Sequence, residues 1–317
     1  MQKTFFKTKI MTFFKQHISP FLSSLIGLKQ LINCAKIQLI NIFYHTVSDE
    51  YLPHISPLYK FKNTKEFEQD LDFLLKHFQP VSVEDVLLHT QHKKRIEQPS
   101  FHLSFDDGLR EIYEIVMPVL RRKGIPATVF VNSDFVDNRD LFFRNKAALI
   151  IDKNKSIKTE ILKIKYPERK LLDDWAQKLN IDFCDFLQKQ QPYLTSEQLK
   201  TLQKNGFTIG AHSENHPNYN LISEQEQIEQ TVNSCAFVKQ NFAMKRSFFA
   251  FPFSAKGVNE SFFEQIYNNV DLTFGVSGIG NSYNGKHIDR IDMENYGKNA
   301  KHCIHRAYLT KILKQWI

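Results

Sequence analysis

The chain has 317 residues, 42% of them hydrophobic and 24% charged, so it can bury a full core and is not a disordered tail. Phenylalanine is abundant at 28 copies and glycine scarce at 11, which excludes collagen-like, low-complexity and flexible-linker proteins. The net charge of +8 comes from residues 1–38 and 295–317, which together carry +11 and leave the middle of the chain at −3, so no basic groove for nucleic acid is indicated.

Residues 1–36 combine lysines with apolar residues and contain no acid. The longest uncharged stretch, 18–28, is too short to span a bilayer, which needs about 20 residues, and no small-x-small cleavage site follows it. We expect a basic amphipathic helical extension, lying either on an anionic membrane or on the protein's own surface. Residues 298–317 are expected to form a basic C-terminal helix.

From residue 37 onward, short apolar runs typical of strands alternate with segments of helical periodicity. The predicted strands are 37–44, 80–83, 101–105, 127–131, 207–211, 248–251, 272–276 and 287–291. The predicted helices between them include 64–78, 111–123, 196–204, 223–241 and 259–268. This alternation predicts an α/β fold with a mainly parallel sheet covered on both faces, and about eight units over roughly 250 residues is the size of a closed β/α barrel.

One stretch, from about 138 to 195, contains no convincing strand and three predicted helices, 145–153, 169–179 and 183–190. It therefore indicates a helical insertion after the fourth strand. Insertions on that side of a barrel usually shape the substrate cleft, and an added packing layer is equally compatible with the pattern.

Two adjacent carboxylates, Asp106 and Asp107, follow the third predicted strand and precede Gly108. Neighbouring carboxylates repel one another and favour a metal or a shared proton. On its own, however, Asp-Asp-Gly after a strand is most often a turn.

A second cluster follows the strand 207–211, where His212 and His216 are four residues apart. That spacing predicts both imidazoles on one face of a helical turn, where they could grip one cation. Together with Asp107 they would form a two-histidine, one-carboxylate set. Such a set leaves positions open for water and substrate, as catalytic metal sites require.

The segments 103–108 (Leu-Ser-Phe-Asp-Asp-Gly) and 212–216 (His-Ser-x-x-His) resemble the first two motifs of the polysaccharide deacetylases, the family 4 carbohydrate esterases that share the NodB homology domain. The resemblance extends from about residue 43 to 291 in motif order, strand context and spacing. It implies a distorted β/α barrel of this type over residues 37–297, with the helical insertion inside it and the two basic segments outside it.

The resemblance also implies roles for the matching residues. Asp107, His212 and His216 would hold a divalent metal ion, usually zinc, and Asp106 would be the general base for the attacking water.

The third family motif matches residues 249–253 (Phe-Ala-Phe-Pro-Phe). In the family, the N–H after the proline binds the oxyanion, so the backbone of Phe253 is the expected donor and Pro252 an expected substrate contact.

Two departures from the family pattern stand out. Many relatives begin the third motif with an arginine that orients the base, and this chain has Ala250 there. Arg290, at the end of the last predicted strand, either supplies the missing cation or forms an ordinary salt bridge with Asp289, Asp292 or Glu294.

The late histidine that many relatives use as general acid is also missing. Tyr44 and His45 resemble the Tyr-His opening of the branch that deacetylates poly-N-acetylglucosamine-type exopolysaccharides. We therefore expect Tyr44 to contact substrate and His45 to lie at the barrel mouth as acid or substrate ligand, with a structural histidine as the alternative. Tyr219 either stacks on a sugar ring or packs in the core, and His102 is expected to be structural.

The sequence thus predicts a metal-dependent hydrolase that removes an N-acetyl group from a sugar or glycan. An O-acetyl esterase, an inactive carbohydrate-binding relative and a basic membrane or nucleic-acid binder remain alternatives. Four scattered cysteines without metal or disulfide spacing, and no clear signal peptide, favour the cytoplasm, or its membrane face if the basic N-terminus binds lipid.

Overall fold

The computed structural model describes residues 27–283, 285–294 and 298–316, so most of the expected N-terminal extension lies outside the described residues. Within these ranges the α-helices, α1 to α12 in chain order, are Leu28–Ala35, Thr64–His77, Val83–Thr90, Met117–Lys123, Phe143–Lys153, Lys158–Ile161, Leu171–Lys178, Phe183–Gln190, Ser196–Lys204, Glu224–Asn241, Glu260–Ile266 and Ala300–Trp316. The strands, β1 to β10, are Leu39–Tyr44, Gln79–Pro80, Ser100–Phe105, Ala127–Val131, Thr208–Ala211, Phe248–Ala250, Leu272–Gly275, Asn281–Ser282, His287–Asp289 and Ile291–Asp292.

The strands form one sheet in the order β10-β1-β3-β4-β5-β6-β7-β9-β8, with the short β2 paired to the start of β3. All of these pairs are parallel except β8 with β9. The predicted mainly parallel α/β sheet is therefore confirmed. Strands β3 and β4 are buried along their whole length, as expected for the interior of a parallel sheet that is covered on both faces.

The two edges of the parallel set meet at a single residue, Arg290. Strand β9 pairs with β7 and strand β10 pairs with β1, and Arg290 is the one residue between β9 and β10. The last predicted strand, 287–291, is thus divided into two halves that serve opposite edges. The chain itself, rather than a continuous hydrogen-bonded ladder, bridges the seam of this distorted barrel.

Capping chemistry explains why the strand predicted at 80–83 is displaced. Ser82 Oγ accepts the Asp85 N–H at 3.2 Å, and the Asp85 carboxylate accepts the Ser82 N–H at 3.1 Å. This reciprocal pair begins a helix, so Val83 is the first residue of α3, which the sequence analysis missed, and only Gln79–Pro80 remains a strand.

The predicted helix 111–123 is not regular along its length. It begins with a π-helical turn over Ile112–Val116 and becomes α4 at Met117. Pro118 lies in the first turn of α4 and lacks the N–H that a regular α-helix would bond to residue 114, which accounts for the irregular start.

The insertion between β4 and β5 carries helices α5 to α8 and has its own apolar cluster. That cluster includes Leu141, Phe143, Ile150 and Leu172, and it also takes in Leu52 and Ile55 from the loop after β1. The insertion and this loop therefore pack as one wall on the side of the sheet where β1, β3 and β4 end.

The terminal helices α1 and α12 pack against each other. Leu28, Leu31 and Ile32 of α1 are buried in the main core, as are Ile304 and Tyr308 of α12. The part of the N-terminal extension that is described thus packs on the protein's own surface. In the described ranges, no helix is both long and apolar enough to cross a bilayer.

Candidate active site

The two carboxylates lie on a sharp turn at the end of β3. Asp106 N–H donates to the Tyr44 carbonyl at 3.0 Å, so β3 keeps its pairing with β1 up to this residue. Asp107 and Gly108 then take left-handed conformations, with φ of 68° and 64°. A Cβ on residue 108 would approach Val131 Cγ1 to 3.0 Å, so the glycine lets the turn lie tightly against β4.

The two histidines follow β5 in a loop, and the prediction that they share a helical turn is wrong. Ser213 and His216 have φ of 69° and 60°, and Ser213 Oγ accepts the His216 N–H at 3.0 Å. Pro217 follows His216 and disfavours helical geometry at that residue. The loop nevertheless brings the two rings to a centroid distance of 4.8 Å.

Asp107, His212 and His216 converge as a donor set for a cation. Asp107 Oδ1 lies 3.4 Å from His212 Nε2 and 3.2 Å from His216 Nε2, and the three candidate ligand atoms lie within 4.8 Å of one another. His212 Nδ1 donates to the Ala250 carbonyl at 2.7 Å, which leaves the Nε2 lone pair directed at Asp107.

Burial and charge prepare this set for a divalent ion. Among the described residues, the buried Asp107 Oδ1 has no hydrogen-bond partner. Burial would raise the pKa of Asp107, but the neighbouring imidazoles hold that pKa well below its ordinary value, and burial lowers the pKa of His216. An ionised carboxylate and neutral imidazoles are the ligand forms that a divalent metal ion requires.

Arg290 binds the other carboxylate from inside the barrel. Its Nη1 donates to Asp106 Oδ1 at 2.7 Å and its Nη2 to Oδ2 at 2.8 Å, and a further bond from Nη1 reaches Ser104 Oγ at 3.0 Å. The guanidinium is fully buried, over the ring of Phe43 at 4.4 Å. Of the two arrangements left open by the sequence, the structure shows Arg290 bonded to Asp106, the residue expected to be the base.

This contact controls the ionisation of Asp106. Burial would raise the pKa of its carboxyl, but the charge and hydrogen bonds of Arg290, together with the nearby His212 and His45, hold that pKa below the ordinary value. Asp106 Oδ2 is 4.0 Å from His212 Nε2, so an ionised carboxylate stands directly beside the candidate metal site.

His45 lies at the mouth, paired with a carboxylate that the sequence analysis did not connect to it. Its Nδ1 is 2.5 Å from Glu294 Oε2, and Glu294 Oε1 accepts the Thr46 N–H at 3.2 Å. Burial lowers the pKa of His45, but Glu294 more than reverses this and raises it to about 10. His45 therefore carries a proton at neutral pH, and its side chain retains 26% exposure.

The third motif places Phe253 against the metal site. Phe253 has φ of 57°, and its ring centroid lies 4.8 Å from that of His216. In the described part of the chain, its N–H has no hydrogen-bond acceptor. Pro252, expected to contact substrate, is buried instead, while Phe251 and Phe253 on either side of it line the cavity.

Tyr44 and Tyr219, both expected as substrate contacts, are instead buried in the core. Alternation along β1 turns Tyr44 away from the mouth and into the core. There its hydroxyl donates to Asp70 Oδ2 at 3.2 Å. Tyr219 is fully buried, with its hydroxyl 2.8 Å from Thr231 Oγ1. His102 is buried, with Nε2 2.9 Å from Thr128 Oγ1, as expected for a structural histidine.

The two carboxylates, the two histidines after β5, His45 and Phe253 all line one cavity of about 550 Å³, which is large enough for a sugar. Asp106 and the candidate metal ligands Asp107, His212 and His216 form its floor. Its walls come from the loop after β1 and from the insertion, and include His54, Ile55, Leu58, Tyr59, Phe142, Arg144, Asn145 and Leu162. The sequence left open whether the insertion shapes a cleft or adds a packing layer, and the structure places several of its side chains in the cavity wall. None of these side chains was singled out from the sequence.

Comparison with known proteins identifies the family. A model of the family described as "Polysaccharide deacetylase" matches residues 93–274. No curated protein gives a significant match.

Solved structures with a similar fold include the deacetylase PplD of Streptococcus pyogenes in complex with acetate, with a TM-score of 0.61, 15% identity and coverage of 86% of this chain and 98% of that one. IcaB of Ammonifex degensii gives a TM-score of 0.57 at 15% identity, covering 85% and 97%. A de-N-acetylase of Aggregatibacter actinomycetemcomitans gives 0.54 at 14% identity, covering 80% and 93%.

Proposed function

The chain belongs to the polysaccharide deacetylase family, and on that premise we propose that it is a metal-dependent hydrolase that removes an N-acetyl group from a sugar or glycan. One observation carries the proposal. Asp107, His212 and His216 direct their ligand atoms to a common point beside Asp106, whose charge is maintained by Arg290.

Each residue has a chemical task in this proposal. A divalent cation held by Asp107, His212 and His216 would lower the pKa of a water molecule and polarise the acetyl carbonyl. Asp106 accepts the proton of the attacking water, because its carboxylate is ionised and adjacent to the site. The Phe253 N–H donates to the oxyanion that develops on the former carbonyl oxygen.

His45 supports the choice of an N-acetyl rather than an O-acetyl group. Amide cleavage requires a proton for the departing amine, whereas an alcohol leaves an ester more easily. His45 lines the cavity and Glu294 keeps it protonated, so it can supply that proton. An inactive relative would have no need to retain the base, the metal ligands and a charged acid together.

Acetate release tests the proposal. The protein, loaded with zinc, is incubated with N-acetylated chitooligosaccharides and with an O-acetylated xylooligosaccharide, before and after chelation. Release from the N-acetylated substrate that chelation abolishes and zinc restores supports the proposal. No release from either substrate, with Asp106→Asn as inactive control, favours the carbohydrate-binding alternative, and release from the ester alone favours the esterase.

We also propose that the enzyme works at the cytoplasmic face of a membrane. The lysines of residues 1–38 and the absence of acid there support attraction to anionic lipid. Sedimentation with vesicles of phosphatidylglycerol, but not phosphatidylcholine, and release by added salt are the expected results. Equal sedimentation with both vesicles would refute the electrostatic attachment.

A further inference from the structure

A second group of polar residues lines the cavity, outside the set assigned to catalysis. Arg144 and Asn145 lie in the first turn of α5, and His54 lies in the loop after β1. None of these residues ligates the candidate metal site or contacts Asp106. We call them the wall cluster.

The N-terminus of α5 supplies the first element of this cluster. The helix has 11 residues and no side chain caps it. Lys146 N–H makes the first helical bond, to the Phe142 carbonyl at 3.0 Å. In the described part of the chain, the N–H groups of residues 143–145 therefore have no acceptor, and they point out of the positive end of the helix.

The nearest acid does not fill this position. Asp140 accepts the Leu141 N–H at 2.7 Å and lies 3.7 Å from Lys146 Nζ, and it is not part of the cavity lining. The Tyr193 hydroxyl accepts the Phe142 N–H at 3.0 Å, one residue before the helix. The first turn itself borders the cavity through Arg144 and Asn145.

A buried side chain points independently to a ligand. His54 is 3% exposed and neither of its ring nitrogens has a hydrogen-bond partner among the described residues. Buried polar groups left unpaired cost free energy, so His54 is suited to a polar ligand in the cavity that it lines together with Asn145.

Arg144 adds a positive charge that has no counter-ion in the described residues. Its side chain packs over the Phe143 ring at 4.9 Å, and Nη1 makes a long 3.4 Å bond to the Leu162 carbonyl. A half-buried guanidinium without a carboxylate partner favours a planar or tetrahedral oxyanion, to which its fork donates two bonds.

The wall cluster lies close to the reaction centre. The ring of Phe142, the residue before α5, is 4.2 Å from the ring of His216 by centroid distance. Two of the acids that line the cavity already have cationic or imidazole partners, because Asp106 is paired with Arg290 and Asp107 faces the two histidines. A group bound at the wall would therefore belong to the sugar undergoing hydrolysis, or to its neighbour.

We propose that the wall cluster binds a negatively charged oxygen group, a phosphate or a carboxylate, carried by the N-acetylated sugar. The substrate is then an anionic sugar or glycan rather than a neutral polymer of N-acetylglucosamine. This inference rests on the proposed deacetylase function and specifies its substrate class.

The test compares matched sugars on the zinc-loaded protein. Acetate release is measured from N-acetylglucosamine, its 1-phosphate, its 6-phosphate and N-acetylglucosaminuronic acid. We expect kcat/KM to be about tenfold or more higher for at least one anionic sugar, which also shows whether phosphate or carboxylate is preferred. Equal kcat/KM for the neutral and all the anionic sugars would overturn the inference.

Variants then locate the effect. Arg144→Gln should remove the preference for the anionic sugar, and Arg144→Lys should retain part of it because the charge remains without the fork. Lys153→Gln removes the same charge from the other end of α5, outside this cavity, and should leave the preference unchanged. A preference that survives in Arg144→Gln rules out the wall cluster as its origin.

Asn145→Asp adds a negative charge to the wall cluster. The added carboxylate should repel the anionic sugar and raise its KM, and a thermal melt of the same variant checks that the fold is retained. A lower KM for the anionic sugar in this variant would contradict the inference.

Direct binding distinguishes failure of this inference from failure of the proposed function. Titration calorimetry with the sugar phosphate is carried out on wild type, Arg144→Gln and the metal-site variant His212→Ala. Arg144-dependent binding that persists in His212→Ala supports the wall cluster even if no substrate releases acetate. Binding that disappears in His212→Ala but not in Arg144→Gln assigns the phosphate to the metal and refutes the inference.

Discussion

Arg290 holds both carboxylate oxygens of Asp106, at 2.7 and 2.8 Å, from a buried position on the seam of the barrel. Many deacetylases resembling this chain use an arginine at the start of the third motif to orient the base, and this chain has Ala250 there. The cation thus reaches Asp106 from the last strand instead of from β6. The predictions below test this arrangement and the roles of the residues around it.

Replacing Arg290 should shift the acidic side of the pH profile of kcat/KM to higher pH. Arg290 lowers the pKa of Asp106, so in Arg290→Gln that pKa rises and the base becomes active only at higher pH. We expect the acid limb of the kcat/KM profile to shift upward in pH. Loss of the buried pair should also cost about 3–5 kcal/mol of unfolding free energy by denaturant titration.

Arg290→Lys is the matched control, since it keeps the positive charge but loses the bidentate contact with the Asp106 carboxylate. Its acid limb should lie between those of wild type and Arg290→Gln. An acid limb that is the same in all three proteins would show that Arg290 does not set the ionisation of Asp106.

Metal content should separate the base from the ligands. His212→Ala leaves two protein ligands of three and should lose zinc, as measured by elemental analysis after gel filtration. Asp106→Asn keeps all three ligands and should retain zinc while acetate release falls by about 10²-fold or more. Full zinc content in His212→Ala would refute the ligand assignment, and normal turnover in Asp106→Asn would refute the base.

Glu294 should set the alkaline limb through His45. The pKa of His45 is raised to about 10, so the acid is protonated below that pH and activity should fall as pH rises through it. In Glu294→Gln the carboxylate charge is gone and burial lowers the pKa of His45, so the alkaline limb should move to lower pH by more than a unit.

His45→Gln should lose both turnover and the alkaline limb while retaining zinc. If the limb stays in place in Glu294→Gln, or if His45→Gln has unchanged kinetics, His45 is a structural residue.

Asp70 should be needed for stability and not for catalysis. Its carboxylate accepts the Tyr44 hydroxyl and the Ala300 N–H, and it lies 3.2 Å from Lys62 Nζ, with both charged side chains at 5% exposure or less. Asp70→Ala leaves the Lys62 charge buried without its partner and should cost about 3–5 kcal/mol in denaturant titration.

Asp72, also on α2, forms an ion pair with Lys123, and the Asp72 side chain is 65% exposed. Asp72→Ala should change stability by less than about 0.5 kcal/mol. Equal losses in the two variants would indicate that the Asp70 contacts carry no special stability.

The candidate base and candidate metal ligands could be predicted because each pair is close in sequence and lies just after a strand. Parallel strands end at one edge, so Asp106 and Asp107 must face His212 and His216. The connection between His45 and Glu294 depends on the pairing of β1 with β10, in which Phe43 lies opposite Asp292. No local pattern reveals that long-range register.

The errors have equally specific causes. Tyr44 neighbours His45 in sequence, but successive strand residues face opposite sides, so one of the two had to point away from the mouth. The helix predicted at 145–153 omitted Phe143 and Arg144, because the first turn of a helix lacks the repeating contacts that produce periodicity. The prediction therefore left out Arg144, which lines the cavity.

Arg290 lies between β9, which pairs with β7, and β10, which pairs with β1, so it occupies the point where the ladder of strands is interrupted. Closure of the fold and readiness of the base thus depend on one side chain. If β10 separated from β1, Asp106 would lose its bidentate partner while the two histidines stayed in place after β5. The seam of the sheet is therefore coupled to one carboxylate, and a change that loosens it would affect Asp106 before it affected the candidate metal ligands.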